Sequence, residues 1–267
     1  AQEGKMIRIV NAESLSFDKE RGDAQVLRGN VICEHEGTFL HCDTALIYEH
    51  PNRMIASGHI LITKGDSIRI TSEKLEYDGR TKMAALQGNV KCVENDMTLT
   101  TNMLSFDVKR SIASYFSGGT LVNRENTLVS RNGHYYSGSK EAAFHYDVVL
   151  TNPDYTMRCD TLRYRVNSKT AFFLGPASIV SESDSIYCEN GWYDTNHEKA
   201  RFSRNAVYVT AQQTLKGDSL VYDRQAGEGR ALGNVSLMDT SQKSVLYGHY
   251  IEYRKDSSEA CATDGDI

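Results

Sequence analysis

The 267-residue chain has few of the residues that interrupt a fold or tie it down: 3 prolines, 6 cysteines and 1 tryptophan. No Ser/Gly/Pro-rich linker divides it, which predicts one continuous domain over residues 1–267. The cysteines stand far apart, with no Cys-x-x-Cys pair and no histidine at zinc-ligand spacing, so neither a disulfide scaffold nor a metal site is expected. No apolar run approaches the roughly 18 residues that a membrane-spanning helix needs.

The charge pattern also identifies no class of partner. Lys plus Arg number 30 against 35 Asp plus Glu, a formal net charge of -5, and no block of like charge suggests a nucleic-acid partner. Nucleophile elbows, phosphate loops and dinucleotide fingerprints are absent, so no cofactor is expected. The start "AQEGKMIRIV" has no signal-peptide pattern. A mature exported chain would begin in this way, and so would many recombinant chains.

What the chain has instead is a repeat. Aromatic residues return at intervals of 28 to 31 residues along the whole sequence. They predict nine copies of a unit of about 29 residues. The aromatic positions are Phe17, Tyr48, Tyr77, Phe106, Tyr136, Tyr164, Tyr193, Tyr222 and Tyr253.

Other columns keep register with the aromatic one. In the third unit they are a polar residue at Glu73, Leu75, Ala84 and a glycine at Gly88. Small residues at matched positions let strands or facing sheets approach closely. Two units depart from the pattern, the fifth with His134 and Tyr146 and the seventh with Gly191 and Arg204. We expect these two either to be distorted or to lie where a groove between the sheets changes shape.

Apolar and polar residues alternate with period two, which predicts strands and not helices. The parity breaks once per unit at the polar column, so we predict a bulge or bend there. Short polar segments rich in Gly, Asn, Asp and Ser predict hairpin turns. The expected fold is all-β and elongated, built from stacked hairpins. The polar column includes Glu13, Glu73, Asn102, Asn132, Asp160, Glu189 and Asp218.

The inward positions are uncharged and small or medium in size. If the two sheets close, they form an ordinary sandwich core; if the sheets stay apart at one seam, they line a groove for acyl chains. The residues alone favour the closed core. The candidate lipid-binding residues are Val31, Cys33, Ile60, Ile62, Ile68, Ile70, Val90, Cys92, Met157, Cys159, Ala177, Ile179, Ile186, Cys188, Val235 and Leu237.

At this point the chain resembles a known family. Leu75-Glu76-Tyr77-Asp78 with Gly88-Asn89-Val90, and Leu220-Val221-Tyr222-Asp223 with Gly233-Asn234-Val235, are similar to the OstA-like repeat of the lipopolysaccharide-transport A proteins. That repeat also forms the periplasmic domain of the outer-membrane lipopolysaccharide assembly protein. The resemblance covers essentially the whole chain, and each single unit is a weak motif.

The resemblance implies a twisted, partly open, taco-like β-jellyroll that holds lipid A between its sheets. It implies a noncatalytic periplasmic protein that is exported with its signal peptide removed and bridges to the outer membrane. Such a protein is either free in the periplasm or associated with the outer membrane. Its partners would be other OstA-like domains joined by edge-strand addition, with head-to-tail self-association. The resemblance favours an open groove over a closed core. The sequence stops in mid-unit after Gly265, so a longer natural chain is expected.

Other interpretations stay open. The acidic members of the polar column could supply paired carboxylates to a β-solenoid carbohydrate-active enzyme, and a surface adhesin or a structural scaffold would fit a repeat as well. A residue that recurs once per unit is more simply a backbone device. Cys159 and Cys188 could form a disulfide in the periplasm, although free buried thiols are favoured. The basic turn residues Arg53, Arg80, Lys82, Lys109, Arg110, Lys169 and Lys199 are either solvated turn charges, the favoured interpretation, or a rim for phosphates.

Overall fold

The computed structural model describes residues 7–19, 24–35, 37–50, 52–254 and 259–263. All regular structure in them is β, and they contain no helix that could cross a membrane. Gly265 and the side chains of Tyr253, Ala260 and Cys261 lie outside the described part. The strands are β1 (Arg8–Asn11), β2 (Ser14–Asp18), β3 (Ala24–His35), β4 (Thr38–Tyr48), β5 (Arg53–Lys64), β6 (Ile68–Asp78), β7 (Met83–Glu94), β8 (Met97–Asp107), β9 (Ile112–Tyr115), β10 (Gly119–Asn123), β11 (Asn126–Ser130), β12 (Asn132–Tyr136), β13 (Glu141–Thr151), β14 (Tyr155–Arg165), β15 (Thr170–Ser181), β16 (Asp184–Asp194), β17 (Lys199–Thr210), β18 (Gln213–Asp223), β19 (Glu228–Asp239), β20 (Ser244–Arg254) and β21 (Glu259–Thr263).

The chain divides into two compact units: residues 1–127 with 131–138, and residues 128–130 with 139–267. In the first unit β3 to β8 pair in chain order, β1 and β2 both lie on β3, and β8 also pairs with β9 and β10. In the second unit β13 to β21 pair in chain order. All of these pairings are antiparallel. The predicted all-β jellyroll of stacked hairpins is confirmed, and the single domain stays a prediction.

Each long strand bends in its middle, and a bulge causes the bend. On β7, Gly88 and Asn89 stand opposite the single residue Glu73 of β6, because the register runs from Thr71 with Lys91 to Lys74 with Gln87. Both bulge residues are left-handed, with φ of +77° and +47°. The predicted bulge is confirmed, and the extra residue lies in the glycine-bearing strand and not in the strand that carries the acid.

The sequence columns are rows that run across the strands. Tyr164 faces Ala171, which faces Tyr193, and Tyr193 faces Ala200. A large ring and a small side chain therefore alternate from strand to strand. The leucine column forms the adjacent row, nearer the bend. The rows explain the repeat: a column conserved in type is a set of cross-strand neighbours.

The strand register shows that two of the nine sequence repeats were aligned one residue out of place. In the second repeat Ile47, and not Tyr48, pairs with Met54 in the aromatic row, and Ala56 pairs with Leu75 in the leucine row. In the fifth repeat Tyr135, and not Tyr136, faces Ala113. A one-residue slip exchanges the two faces of a strand, so Leu46, Tyr48, His134 and Tyr136 lie off the rows to which the repeat assigned them.

The predicted distortion is found where the fifth repeat begins, but not in the seventh repeat, whose strands β16 and β17 keep their full length. At the start of the fifth repeat the long bent strands give way to the short strands β9, β10, β11 and β12. The ring of Tyr115 is buried and occupies the space beside two glycines, since a Cβ added to Gly119 or Gly133 would lie 2.6 or 2.3 Å from a ring carbon. One large side chain fills the space that several leucines fill elsewhere.

Candidate functional site

Beyond each bend, one row of side chains is sealed from solvent. We call it the bend row, and its members are small or medium in size and uncharged. Nearly all are buried. The row consists of Val31, Cys42, Ile60, Ser72, Val90 and Thr101 in the first unit, and of Val148, Cys159, Ala177, Cys188, Ala206, Gly217 and Val235 in the second.

Two residues further from the bend runs a second row, which points to the same side. It is aliphatic apart from two cysteines, one methionine and one tyrosine. Cys33, Leu40 and Met157 are buried, and the other members are half-buried. The second row consists of Cys33, Leu40, Ile62, Ile70, Cys92 and Leu99 in the first unit, and of Leu150, Met157, Ile179, Ile186, Tyr208, Leu215 and Leu237 in the second.

All sixteen residues singled out as inward from the sequence lie on this side, and none is exposed. Those in the bend row are part of a sealed core, so they have no surface left for a ligand. Those in the second row keep partly open apolar surface. Ile68 lies one row further out, between the charged residues Lys64 and Glu94, and marks the polar edge of the face. The bend-row candidates are Val31, Ile60, Val90, Cys159, Ala177, Cys188 and Val235; the second-row candidates are Cys33, Ile62, Ile70, Cys92, Met157, Ile179, Ile186 and Leu237.

The periodicity missed part of the second row. The missed members are Leu40, Leu99, Leu150, Tyr208 and Leu215, which pair with Cys33, Cys92, Met157, Ile186 and Leu237. Each stands two residues before a bend-row member on its own strand, except Leu150 and Tyr208, which stand two residues after one. Strand alternation from the bend row was the signal that could have found them.

The described cysteines are free thiols, as the sequence favoured. Cys159 and Cys188 both flank Ala177, one on each side. Two strand spacings put them about 10 Å apart, which exceeds the reach of a disulfide. Burial raises the pKa of Cys159 to about 12 and that of Cys188 to about 11, so both thiols stay protonated. They act here as small apolar side chains.

The acidic column holds the bends. The Nδ2 of Asn89 donates to Glu73 at 2.6 Å, that of Asn205 to Glu189 at 2.8 Å, and that of Asn234 to Asp218 at 2.9 Å. Asn30 binds Glu13 in the same way, and the Nδ1 of His59 lies 2.8 Å from Asp43. Each of these acids is therefore bound to the second residue of a bulge, which follows a glycine in every case except Asn205, which follows Arg204. This confirms the structural interpretation of the column.

Where the first bulge residue is glycine, it makes room for that acid. A Cβ on Gly88 would lie 2.4 Å from Glu73 Oε2. The left-handed φ disfavours a side chain there for a second, independent reason. The bend therefore selects glycine both by conformation and by space.

The basic turn residues serve the turns. The guanidinium of Arg53 contacts Glu76 at 3.0 Å, that of Arg110 contacts Asp107 at 3.4 Å, and the ammonium of Lys199 contacts Asp223 at 2.9 Å. These exposed pairs contribute little to stability. They agree with the interpretation as turn charges.

The histidines form no cluster with other metal-ligating residues. Among the described residues no three His, Cys, Asp or Glu side chains come together in a way that could hold a metal ion.

Comparisons with known proteins agree with the repeat. A family model described as OstA-like protein matches residues 4–160, which is more than half of the chain. A solved structure with a similar chain is LptH, the LptA-homologous periplasmic component of the lipopolysaccharide transport device of Pseudomonas aeruginosa. It is 15% identical, and the match covers 51% of this chain and 82% of that chain with a TM-score of 0.26. The comparison with curated proteins found no match.

Proposed function

Because the chain belongs to the OstA-like family, we propose that it is a noncatalytic periplasmic protein that binds lipopolysaccharide through its lipid A part and bridges towards the outer membrane. The observation that supports this most directly is the second row. It is apolar along each unit and, apart from Cys33, Leu40 and Met157, it is half-buried where a closed sandwich core would be buried. The enzyme alternative loses its main support, since the acidic column is engaged at the bends.

The energetics suit acyl chains. Each methylene that leaves water contributes about 0.8 kcal/mol. Several partly buried chains therefore offset the cost of association, which is several kcal/mol or more. Such chains need no specific polar partner, in keeping with a face whose residues differ from unit to unit but stay apolar.

The bridging part of the proposal rests on the match to the OstA-like family. A strand from another OstA-like domain or from a second copy would add to an edge of the sheet through main-chain hydrogen bonds.

The test uses neighbouring residues on β16. Ile186 belongs to the second row, whereas Tyr187 points to the opposite face and is 39% exposed. A carboxylate in an apolar contact is costly, so Ile186→Asp should weaken binding of purified lipid A at least about tenfold, while Tyr187→Asp should bind as the parent does. Native mass spectrometry with lipid A and with whole lipopolysaccharide gives the measurement, and circular dichroism checks the fold.

If Ile186→Asp does not fold, Ile186→Ala replaces it, with a smaller expected loss of affinity. If Ile186→Asp and Tyr187→Asp both bind lipid A as tightly as the parent does, the ligand does not lie on the second row. A parent protein that binds neither lipid A nor lipopolysaccharide would overturn the proposed function.

A further inference from the structure

A second candidate site lies on the outer face of the second unit, opposite the apolar rows. It is an open cleft of about 470 Å³ at the bend of β16, β17 and β18. Arg201 lies outside because it alternates with Phe202, whose side chain is buried in the leucine row. The volume falls within the range of small-molecule sites, but the lining is polar where such sites are mostly apolar. The cleft is lined by Glu189, Arg201, Ser203, Arg204, Asn205, Asp218 and Ser219.

Arg204 occupies a position where other bends have glycine, such as Gly29, Gly58 and Gly88. It keeps the left-handed backbone of those glycines, with φ of +60°, and Asn205 follows at +53°. This conformation is unfavourable for a residue with a side chain. The strained residue here places a guanidinium at the cleft.

The two arginines of the cleft are not ion-paired among the described residues. Arg201 Nε donates to Ser219 Oγ at 2.9 Å, which orients the guanidinium and leaves its terminal nitrogens available. Guanidinium groups bind phosphate and carboxylate through paired hydrogen bonds. The cleft therefore offers two sites for an anionic group.

The same cleft contains acceptors. Glu189 accepts from Asn205 Nδ2 through one oxygen, and Asp218 accepts from Asn234 Nδ2 through one oxygen. Each carboxylate has a second oxygen, and Ser203 adds a hydroxyl that can donate or accept. Their negative charges disfavour a bare anion. A ligand that combines an anionic group with several hydroxyls satisfies both kinds of group at once.

We propose that this cleft binds an anionic sugar, that is, a saccharide that carries a phosphate or a carboxylate. The arginines bind the charged group, and the carboxylates and the serine bind the sugar hydroxyls. The site is separate from the second row, so its occupation does not depend on lipid binding.

The chain contains a reporter for this binding. Trp192 is its single tryptophan and is the cross-strand partner of Arg201 on the outer face. Intrinsic fluorescence of the whole chain, titrated with glucose 6-phosphate and with glucuronate, should change saturably. Glucose and inorganic phosphate are the matched controls, and each should bind at least about tenfold more weakly, because it lacks one half of the interaction.

Arg204→Gly is the decisive variant, because it removes the guanidinium and restores the residue that other bends use. It should fold at least as well as the parent and should lose at least about tenfold in affinity for the charged sugars. Tyr146→Gly makes the same exchange at the bend of β13, where Tyr146 also has a left-handed φ of +63°. It should bind the charged sugars as the parent does.

Binding of only one charged sugar would support the proposal and identify the anionic group. Absence of saturable binding would overturn it, as would equal affinity for inorganic phosphate or an Arg204→Gly variant that binds like the parent. Lipid A binding should be unchanged in Arg204→Gly, so failure here and failure of the proposed function are separate results.

Discussion

The two units build the same buried row from different side chains. In the first unit the leucine row is made of leucine and alanine. In the second unit Gly191 stands between two phenylalanines, and the rings of Phe173 and Phe202 stack above it with centroids 6.0 Å apart. The ring of Phe173 therefore occupies the space that a side chain at Gly191 would fill, so the row stays closely packed although its residues differ. The first-unit members are Leu27, Ala45, Ala56, Leu75, Leu86 and Leu104.

The bends differ in a parallel way. The bulges of β3, β5 and β7 in the first unit begin with glycine, whereas those of β13 and β17 in the second begin with Tyr146 and Arg204. All of these residues are left-handed. The backbone conformation is thus the constant feature, and glycine is its least strained occupant. Substitutions in both units test how far the two differ.

The largest effect is expected from Gly191→Leu, which gives the second unit the residue that the repeat has elsewhere. A Cβ at this position would lie 2.1 Å from Phe173 Cε2 and 2.7 Å from the carbonyl oxygen of Arg201. Overpacking of this kind should lower the free energy of unfolding by about 3 kcal/mol or more. Urea unfolding followed by circular dichroism measures it.

The double variant Gly191→Leu with Phe173→Ala is the control. It vacates the ring that fills the space and should recover part of the loss, so that the two changes are not additive. Additive losses, or a neutral Gly191→Leu, would mean that the phenylalanine rings do not replace the missing leucine.

A smaller loss is expected from Gly88→Ala in the first unit. The left-handed φ of +77° costs an alanine about 1–2 kcal/mol. The collision with Glu73 should add about 1 kcal/mol by disturbing its hydrogen bond to Asn89. Thermal unfolding of the variant and its parent gives the difference.

Gly37→Ala is the matched control, because Gly37 has a φ of +75° but no atom within 4 Å of an added Cβ. It should show the conformational cost alone. Equal losses at Gly37 and Gly88 would show that the acid does not require the glycine.

The smallest effect is expected from the turn carboxylates when the pH is lowered. Hydrogen bonds, first from Gln213 and then from Ser241 and the main chain, lower the pKa of Asp239 in the second unit to about 2. Main-chain donors lower the pKa of Asp78 in the first unit. A lowered folded-state pKa gives stability that is complete above the ordinary value of 3.8 and is lost as the pH falls towards about 2.

Midpoints of thermal unfolding should therefore fall between pH about 5 and about 2. Asp239→Asn should fall less steeply than the parent, and Asp78→Asn should differ from the parent by less. A parallel pH profile for Asp239→Asn would show that this carboxylate does not contribute to the acid sensitivity.

Much of the fold was predictable because its signals are local. Alternation at Ile68 and Ile70, the parity change at Glu73 and the pair Gly88-Asn89 lie within one unit, and together they predict two strands and a bulge. The inward face followed from the same alternation, and the candidate residues all lie on it. Their role with lipid stays a proposal.

The strand register of the second and fifth sequence repeats could not be predicted in this way. Tyr48 and Tyr136 fit the repeat as well as Ile47 and Tyr135 do, and only pairing with Met54 and Ala113 decides between them. One residue more or less in a turn shifts the apparent aromatic column by one position. Nothing in the local sequence disfavours the shifted position.

By itself the sequence determined that this protein is made of bent antiparallel strands with one apolar side, because strand alternation and left-handed bulges depend on neighbours along the chain. The tertiary structure decided which apolar residues are sealed and which remain half-open. It also decided that Phe173 and Phe202 compensate for Gly191, and that Arg201 and Arg204 share a cleft with Asp218. These contacts join residues on neighbouring or next-nearest strands, far enough apart in sequence that only the pairing of whole strands brings them together.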